Sequence, residues 1–146
     1  MGTELVRWEE KDYYAQVIDA VKDEGPVDKD CMPINLLDNN SRTVWAADGV
    51  GRYLDLTLQN TEKIKGVDIV FNPNSKRKAE FEIMISIDGV NFEKVFKGSS
   101  NPNVSDNTVE HYEFDESYEA KYIRYVGNGS NVSSWNGVKE IRIIKE

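Results

Sequence analysis

The segment of residues 35–45, which reads NLLDNNSRTVW, gathers Asp, Asn, Ser and Thr oxygens into one short, turn-forming stretch. Hard cations such as Ca²⁺ prefer oxygen ligands, and the backbone carbonyls of a tight turn can add more of them. Far along the chain, Glu140 stands among apolar residues and could complete such a site. The same composition is also typical of an ordinary Asx-rich turn, so the segment alone leaves both interpretations open.

Two further polar segments carry groups that could bind a ligand. Lys76, Arg77 and Lys78 form the only run of three cations, in a segment that begins with Asn72. Such a run could bind an anion, and its alternative role is that of a solvated loop that aids solubility. Residues 127–135, GNGSNVSSW, offer amides, hydroxyls and an aromatic ring. Planar hydrogen-bonding groups beside an aromatic face are what a sugar-binding site requires.

No residue pattern points to catalysis, which needs a nucleophile with a base, paired carboxylates or a metal with an open position. The only histidine, His111, falls in a predicted strand, where a structural or surface role is typical. The only cysteine, Cys31, has no histidine near it, and no phosphate-binding loop or His-Glu-x-x-His motif occurs. The many Asp and Glu residues leave a carboxylate pair open, but nothing singles one out. We therefore expect no enzyme activity in this chain.

Length and charge describe a single acidic domain. The chain has 146 residues, enough to bury a sizeable core, and a formal net charge of −8. That charge disfavours nucleic acids and anionic membranes as partners. No apolar run is long enough to span a membrane, and one cysteine cannot form an internal disulfide. No apolar leader opens the sequence, so we expect any secretion signal to have been removed or to belong to a parent protein.

Alternating apolar and polar residues predict many short strands. The predicted strands are residues 53–58, 64–71, 81–87, 91–96, 111–114, 121–126 and 138–144. Asp88-Gly89 predicts a hairpin turn between the third and the fourth of them. Residues 7–24 fit either a helical face or a first strand. Many short strands separated by turn signals indicate a β-sandwich or jelly roll.

The order of the sequence fragments resembles a known family. NLLDNNSRTVW, RYLDLTL, IKGVDIVF, FEIMISIDGVNFEKV, KYIRYVGNG and WNGVKEIRI follow one another with short spacers. This order is similar to that of discoidin, or coagulation-factor C-type, domains, and above all to family 32 carbohydrate-binding modules attached to polysaccharide lyases. The resemblance covers roughly residues 16–146. It implies an eight-stranded antiparallel β-sandwich of jelly-roll type, forming one module over residues 1–146 in which 1–15 are an extension of uncertain structure.

The resemblance also implies a structural calcium site. Its ligands would be the carboxylate of Asp38, the backbone carbonyl of Asn40, the hydroxyl and carbonyl of Thr43, and the carboxylate of Glu140. Such a site would join an early loop to the last strand and so offset the entropy of closing a long loop.

The sugar site that the resemblance implies centres on Arg77, because the matching loop of the related modules supplies an arginine to hydroxyls or carboxylates. The fork of an arginine suits a uronate carboxylate bidentately. The predicted ligand-binding residues are Arg77, Asn72, Lys76, Asn128, Asn131 and Trp135. Trp135 could equally be a core residue at the start of a strand. We expect Trp45 to lie in the core and Arg124 to pair with a carboxylate. The loop tips read as Asn, Ser, Lys and Gly, which favours sugar over the apolar spikes of lipid-binding members.

Together these features predict a non-catalytic carbohydrate-binding module tethered to a secreted, bacterial polysaccharide-degrading enzyme, with a lyase as the expected catalytic partner. The favoured ligand is an acidic uronate polymer such as alginate or pectate, or its oligosaccharide ends. Neutral galacto- or amino-sugar glycans are the second choice, and a discoidin-type adhesion or lipid-binding domain is the rival from another class. A single cysteine fits a bacterial module better than the disulfide-clasped vertebrate members. We expect a monomer.

Overall fold

Strands account for all the regular structure of the described residues. The structure, a computed structural model, describes residues 14–22, 45–72 and 76–146. These ranges contain no helix, and hence none that could span a membrane. The strands are β1 (Tyr14–Ala15), β2 (Val17–Lys22), β3 (Trp45–Asp48), β4 (Arg52–Phe71), β5 (Ala79–Ser86), β6 (Glu93–Ser99), β7 (Glu110–Ser130) and β8 (Trp135–Lys145).

The described residues nearest the N-terminus are extended. Residues 17–22 form β2, which pairs antiparallel with β4, so the strand interpretation of this segment is confirmed over the helical one. Tyr14 and Ala15 form β1 and pair with the end of β8. The sheet therefore includes Tyr14 and Ala15, the last two residues of the extension whose structure the sequence left uncertain.

Two long strands, β4 and β7, run through both layers of the molecule. The start of β4 pairs with the end of β7, whereas its later part pairs with the start of β7 and with β8. The register shifts between Thr57 and Glu62, where β4 bends from one layer to the other. The sequence predicted two separate strands in each case, because polar residues such as 59–63 looked like a connection. The backbone instead bends there without leaving the strand.

The pairing defines two layers that face each other. Layer 1 consists of β2, the start of β4, the end of β7, β5 and β6. Layer 2 consists of β1, β3, β8, the later part of β4 and the start of β7. Every pairing is antiparallel, and the eight strands form one continuous hydrogen-bonded sheet folded on itself. The predicted eight-stranded antiparallel β-sandwich is confirmed.

Aromatic side chains pack between the two layers. Phe81 of layer 1 lies 5.4 Å from Phe71 and 5.1 Å from Tyr112, ring centroid to centroid, and both of these belong to layer 2. Trp45 of layer 2 meets Tyr125 of layer 1 edge-on at 6.0 Å. Trp45 is fully buried, so the core role expected for it is confirmed. Large rings in edge and tilted contacts stabilise a core beyond their burial alone.

Two local predictions are also confirmed. Asp88 forms the predicted turn, since its Oδ1 accepts hydrogen bonds from the backbone N–H groups of Val90 and Asn91, both at 2.8 Å. These bonds hold the pKa of Asp88 well below its usual range. Arg124 pairs bidentately with Asp55, at 2.7 and 2.9 Å, on the outer face of layer 1.

Candidate functional site

Several strands begin or end together at one end of the sandwich. Arg52 at the start of β4 pairs with Gly127, and Ala79 at the start of β5 pairs with Ser130 of β7. The turn at Asp88 lies at the opposite end of β5. We call the first end the loop end; it comprises residues 48–52, 72, 76–78, 100–109 and 127–135. The sequence-predicted sugar-binding residues all lie there.

The backbone around Arg77 is fixed on both sides by neighbouring loops. The N–H of Lys76, which has a positive φ of 64°, donates to the carbonyl of Pro102 at 2.8 Å. The N–H of Lys78 donates to Asn131 Oδ1 at 2.8 Å, and the hydroxyl of Ser100 donates to the carbonyl of Arg77 at 3.2 Å. The Arg77 side chain is partly exposed and makes no hydrogen bond or ion pair with a described residue. A fixed backbone therefore presents a partly exposed arginine with no side-chain partner among the described residues.

Asn131 has a structural role that sequence reasoning did not anticipate. Its side-chain oxygen accepts the bond from Lys78, and its own N–H donates to the Lys78 carbonyl at 3.2 Å. The side-chain Nδ2 of Asn131 takes no part in these two bonds and can donate to a ligand. The structure thus joins the 76–78 loop to the 127–135 segment, as a shared site requires. Asn72 is held from the other side, since its N–H donates to the carbonyl of Gly137 at 3.0 Å.

Apolar side chains at the loop end are more exposed than the sequence indicated. Trp135 is 38% exposed, so it is not a core residue, and Val50 and Val132 are 71% and 59% exposed. The loop tips are therefore not made only of Asn, Ser, Lys and Gly. The available signal was the GVG triplet at residues 49–51: both glycines have positive φ, as in a turn, which leaves Val50 at its tip.

Asn136 is a buried polar residue that the sequence did not single out. It follows the exposed Trp135 in β8 and is only 4% exposed. Its Nδ2 donates to the carbonyls of Ala47, at 3.0 Å, and Gly49, at 2.8 Å. Its Oδ1 accepts the N–H of Gly129 at 2.8 Å. One side chain thus connects two segments of the loop end.

Glu140, the predicted calcium ligand in β8, is fully buried. It points away from the core, on the outer face of layer 2 that also carries Asp68 and Arg142. Arg142 Nη1 donates to Glu140 Oε2 at 3.3 Å. The other predicted ligands, Asp38, Asn40 and Thr43, lie outside the described residues. Within the described part of the chain, no three His, Cys, Asp or Glu side chains are grouped to hold a metal ion.

His111 takes part in a hydrogen-bonded network on the same outer face. Its Nδ1 lies 2.6 Å from Asp68 Oδ1 and its Nε2 lies 3.1 Å from Glu113 Oε1, while the Tyr14 hydroxyl donates to Asp68 Oδ2. Partial burial lowers the pKa of His111, but the hydrogen bonds and charges of Glu113 and Asp68 outweigh it and raise the pKa above its usual value. The network ties β1, β4 and β7 together, in keeping with the structural role expected for this histidine.

The arrangement of strands and loops agrees with a sequence comparison. The family profile of the F5/8 type C domain matches residues 23–144. The chain belongs to the F5/8 type C domain family. No curated protein sequence matches it.

Solved structures similar to this F5/8 type C domain include carbohydrate-binding modules. The family 32 module of AlyQ, in complex with 4,5-unsaturated mannuronic acid, is 27% identical with a TM-score of 0.80, over 90% of this chain and 97% of that one. A pectin-binding carbohydrate-binding module is 30% identical with a TM-score of 0.80, over 88% of this chain and 91% of that one. A truncated AlyQ with this module and alginate lyase domains is 26% identical with a TM-score of 0.82, over 91% of this chain and 34% of that longer one. The chain therefore has the fold of a family 32 carbohydrate-binding module.

The raised pKa of His111 predicts a pH-dependent contribution to stability. Since the folded pKa lies above the usual 6.5, the contribution is fully present below that value and is lost as the pH rises through the folded pKa. We expect His111→Gln to lower the melting temperature more at about pH 5.5 than at about pH 8.5. Half of the side chain is exposed, so the effect is at most about 1 kcal/mol. A wild-type-to-variant difference that stays constant over this range would contradict the prediction.

Proposed function

We propose that this domain is a non-catalytic module that binds an acidic uronate polymer such as alginate or pectate, or its oligosaccharide ends. In this role it holds an attached polysaccharide lyase of a secreted bacterial protein at its substrate. The observation that carries the proposal is the partly exposed Arg77 on a fixed backbone, in a loop bonded to the polar segment that ends in Trp135. Two similar structures support this ligand class, since their names record a mannuronic acid complex and pectin binding.

Arg77 supplies the chemistry that distinguishes a uronate from a neutral sugar. Its planar fork can donate two parallel hydrogen bonds to one carboxylate, which a single ammonium group cannot. Lys76 adds positive charge beside it. A site with these groups would recognise the carboxylate that every residue of alginate or pectate carries.

The remaining predicted residues suit the rest of a sugar ring. Asn72, Asn128 and the Nδ2 of Asn131 can exchange hydrogen bonds with hydroxyl groups. The exposed part of Trp135 offers an apolar face on which sugar C–H groups can stack. Binding at such a site would raise the local concentration of polymer around a tethered lyase without any change in the lyase itself.

Replacing Arg77 tests the proposed function most directly. A charge-assisted bidentate contact contributes roughly 1.5–3 kcal/mol, so we expect Arg77→Ala to weaken binding of alginate or pectate oligosaccharides about ten- to a hundredfold. Arg77→Lys should recover little of this loss, because lysine lacks the fork. Calorimetric titration at two salt concentrations measures both effects, and uronate binding should weaken as salt rises.

The matched control for Arg77 is Lys63→Ala. Lys63 is an exposed cation paired with Glu146 and lies far from the loop end. Lys63→Ala should leave the affinity for uronate oligosaccharides unchanged. A folded Arg77→Ala protein with full affinity would mean that the ligand binds elsewhere, and equal affinity for neutral and uronic oligosaccharides would favour the neutral-glycan alternative.

A structural calcium ion is the second part of the proposal. Glu140 fits a calcium ligand, because it is an anionic oxygen donor removed from water at a position that matches the family pattern. The predicted partners Asp38, Asn40 and Thr43 would complete the coordination from a distant segment. The ion would stabilise the fold by joining that segment to β8, with no part in catalysis.

Chelation tests the calcium proposal. We expect a calcium chelator to lower the melting temperature of the wild type, and Asp38→Ala or Glu140→Gln to remove most of that response. The control is Glu116→Gln, an exposed carboxylate at the opposite end of the sandwich, which should keep the response. Identical melting with calcium and with chelator, together with no metal by elemental analysis, would refute the site.

One observation favours a lipid-binding alternative. Val50 and Val132 are exposed apolar side chains on neighbouring turns of the loop end, and they could insert between lipid head groups. If this were the function, the wild type would co-sediment with phosphatidylserine vesicles, and Val50→Ser with Val132→Ser would release it. We expect no co-sedimentation, because the apolar area of two valines is small and the domain carries a net charge of −8.

A further inference from the structure

We propose that Asn136 is a positioning residue for ligand binding, which holds the 48–51 turn and the 127–134 segment in the one arrangement that the ligand requires. The inference rests on the proposed function, because it assigns to that same binding surface the residue that organises it. Asn136 itself is buried and does not touch the ligand.

The side chain of Asn136 satisfies backbone groups from two different segments. It donates to the carbonyls of Ala47 and Gly49 and accepts the N–H of Gly129. Only an amide can do this, since it carries two donor hydrogens and an acceptor oxygen on one short side chain. An alanine would leave three buried or partly buried backbone groups without this partner, and an aspartate would place a charge against two carbonyl oxygens.

The surroundings of Asn136 are shaped to hold it. A Cβ atom at position 127 would come within 2.3 Å of Asn136 Oδ1, so the glycine there makes room for the amide. Gly127 also accepts the N–H of Gly51 at 2.8 Å, and Gly49 donates to the carbonyl of Ser134 at 2.8 Å. The 48–51 turn is therefore bonded at several points to the 127–134 segment, with Asn136 at the centre of the contacts.

These contacts connect Asn136 with the residues that are proposed to bind the ligand. Gly129 is the residue that Asn136 holds, and two residues later Asn131 bonds to the backbone of Lys78, beside Arg77. On the other side, Trp135 is paired in register with Asp48. Ordering loops at the moment of binding costs conformational entropy, and a loop that is already ordered avoids that cost. Loss of Asn136 should therefore weaken binding even though every contact residue remains.

The experiment compares Asn136→Ala with Ser86→Ala. Ser86 is also a buried polar residue: its hydroxyl donates to Asp88 and accepts the N–H of Gly89, but it lies at the opposite end of the sandwich. We expect both variants to lower the melting temperature. Only Asn136→Ala should weaken binding of an alginate or oligogalacturonate oligosaccharide, by about tenfold, when titrated well below the melting temperature.

Amide hydrogen exchange supplies a second, independent readout. In Asn136→Ala the amides of Gly49, Gly51 and Gly129 should exchange faster than in the wild type, whereas in Ser86→Ala they should not. Asn136→Asp keeps the size of the side chain and its acceptor but removes both donors. It should weaken binding and loosen the 48–51 turn, and it provides the test if Asn136→Ala does not fold.

The possible outcomes separate the two proposals. If the wild type binds uronate oligosaccharides and a folded Asn136 variant binds them equally well, the positioning role is wrong and the proposed function stands. The same conclusion follows if Ser86→Ala weakens binding as much as Asn136→Ala, because the effect would then reflect stability alone. If the wild type binds no uronate, the proposed function fails, and the positioning role for it fails as well.

Discussion

The architecture depends on two strands that belong to both layers of the sandwich. β4 and β7 pair with each other along most of their length, and both bend where the register shifts between Thr57 and Glu62. Because each strand is continuous, the two layers cannot slide apart without breaking this ladder. The aromatic contacts of Phe81 with Phe71 and Tyr112 then fill the space between layers whose relative position is already set. The ends of the loop-end segments are held in place by this frame, because each segment is directly connected to the end of a strand.

A rigid frame alone does not order the loops, and here polar side chains do so. Asn131 bonds to Lys78, the hydroxyl of Ser100 bonds to the backbone of Arg77, and Asn136 joins the 48–51 turn to Gly129. Ser100 and Asn136 satisfy buried or partly buried backbone groups, which it would be costly to leave without a partner, whereas the Asn131 bond to Lys78 is exposed. The loop end can therefore be ordered before any ligand arrives, while the side chain of Arg77 stays accessible. This division between groups that hold the loops and groups that face outward is what a preorganised site requires.

Local patterns in the sequence predicted most of the fold and part of the candidate site. The alternation of apolar and polar residues predicted the strands, and Asp88-Gly89 predicted the turn between β5 and β6. The expected roles of Trp45 and Arg124 are also confirmed. All these predictions follow from a pattern within a few residues or from the order of the family's sequence fragments. Asn136 was missed because two of its three partners, Ala47 and Gly49, are 89 and 87 residues away in sequence, and no local pattern distinguishes it from the other asparagines. Val50 was missed because exposure at a turn tip is a property of the backbone path. The two-layer course of β4 was missed because residues 59–63 carry the polar composition of a loop.

The proposed ligand is a polyanion, whereas the domain itself is acidic, and the positions of the charges reconcile the two. The net charge is −8, and carboxylates such as Glu116 and Glu119 lie at the end opposite the loops. The loop end carries two carboxylates, Asp48 and Asp106, against the four cations Arg52, Lys76, Arg77 and Lys78. β5 spans eight residues between the two ends, which at about 3.3 Å per residue separates them by roughly 26 Å. The Debye length at physiological salt is about 8 Å, so charges at that distance are largely screened from the ligand. The proposed contacts of about 3 Å with Arg77 and Lys76 would be screened far less. A uronate at the proposed site would therefore be governed by the charges close to Arg77 rather than by the net charge of the domain.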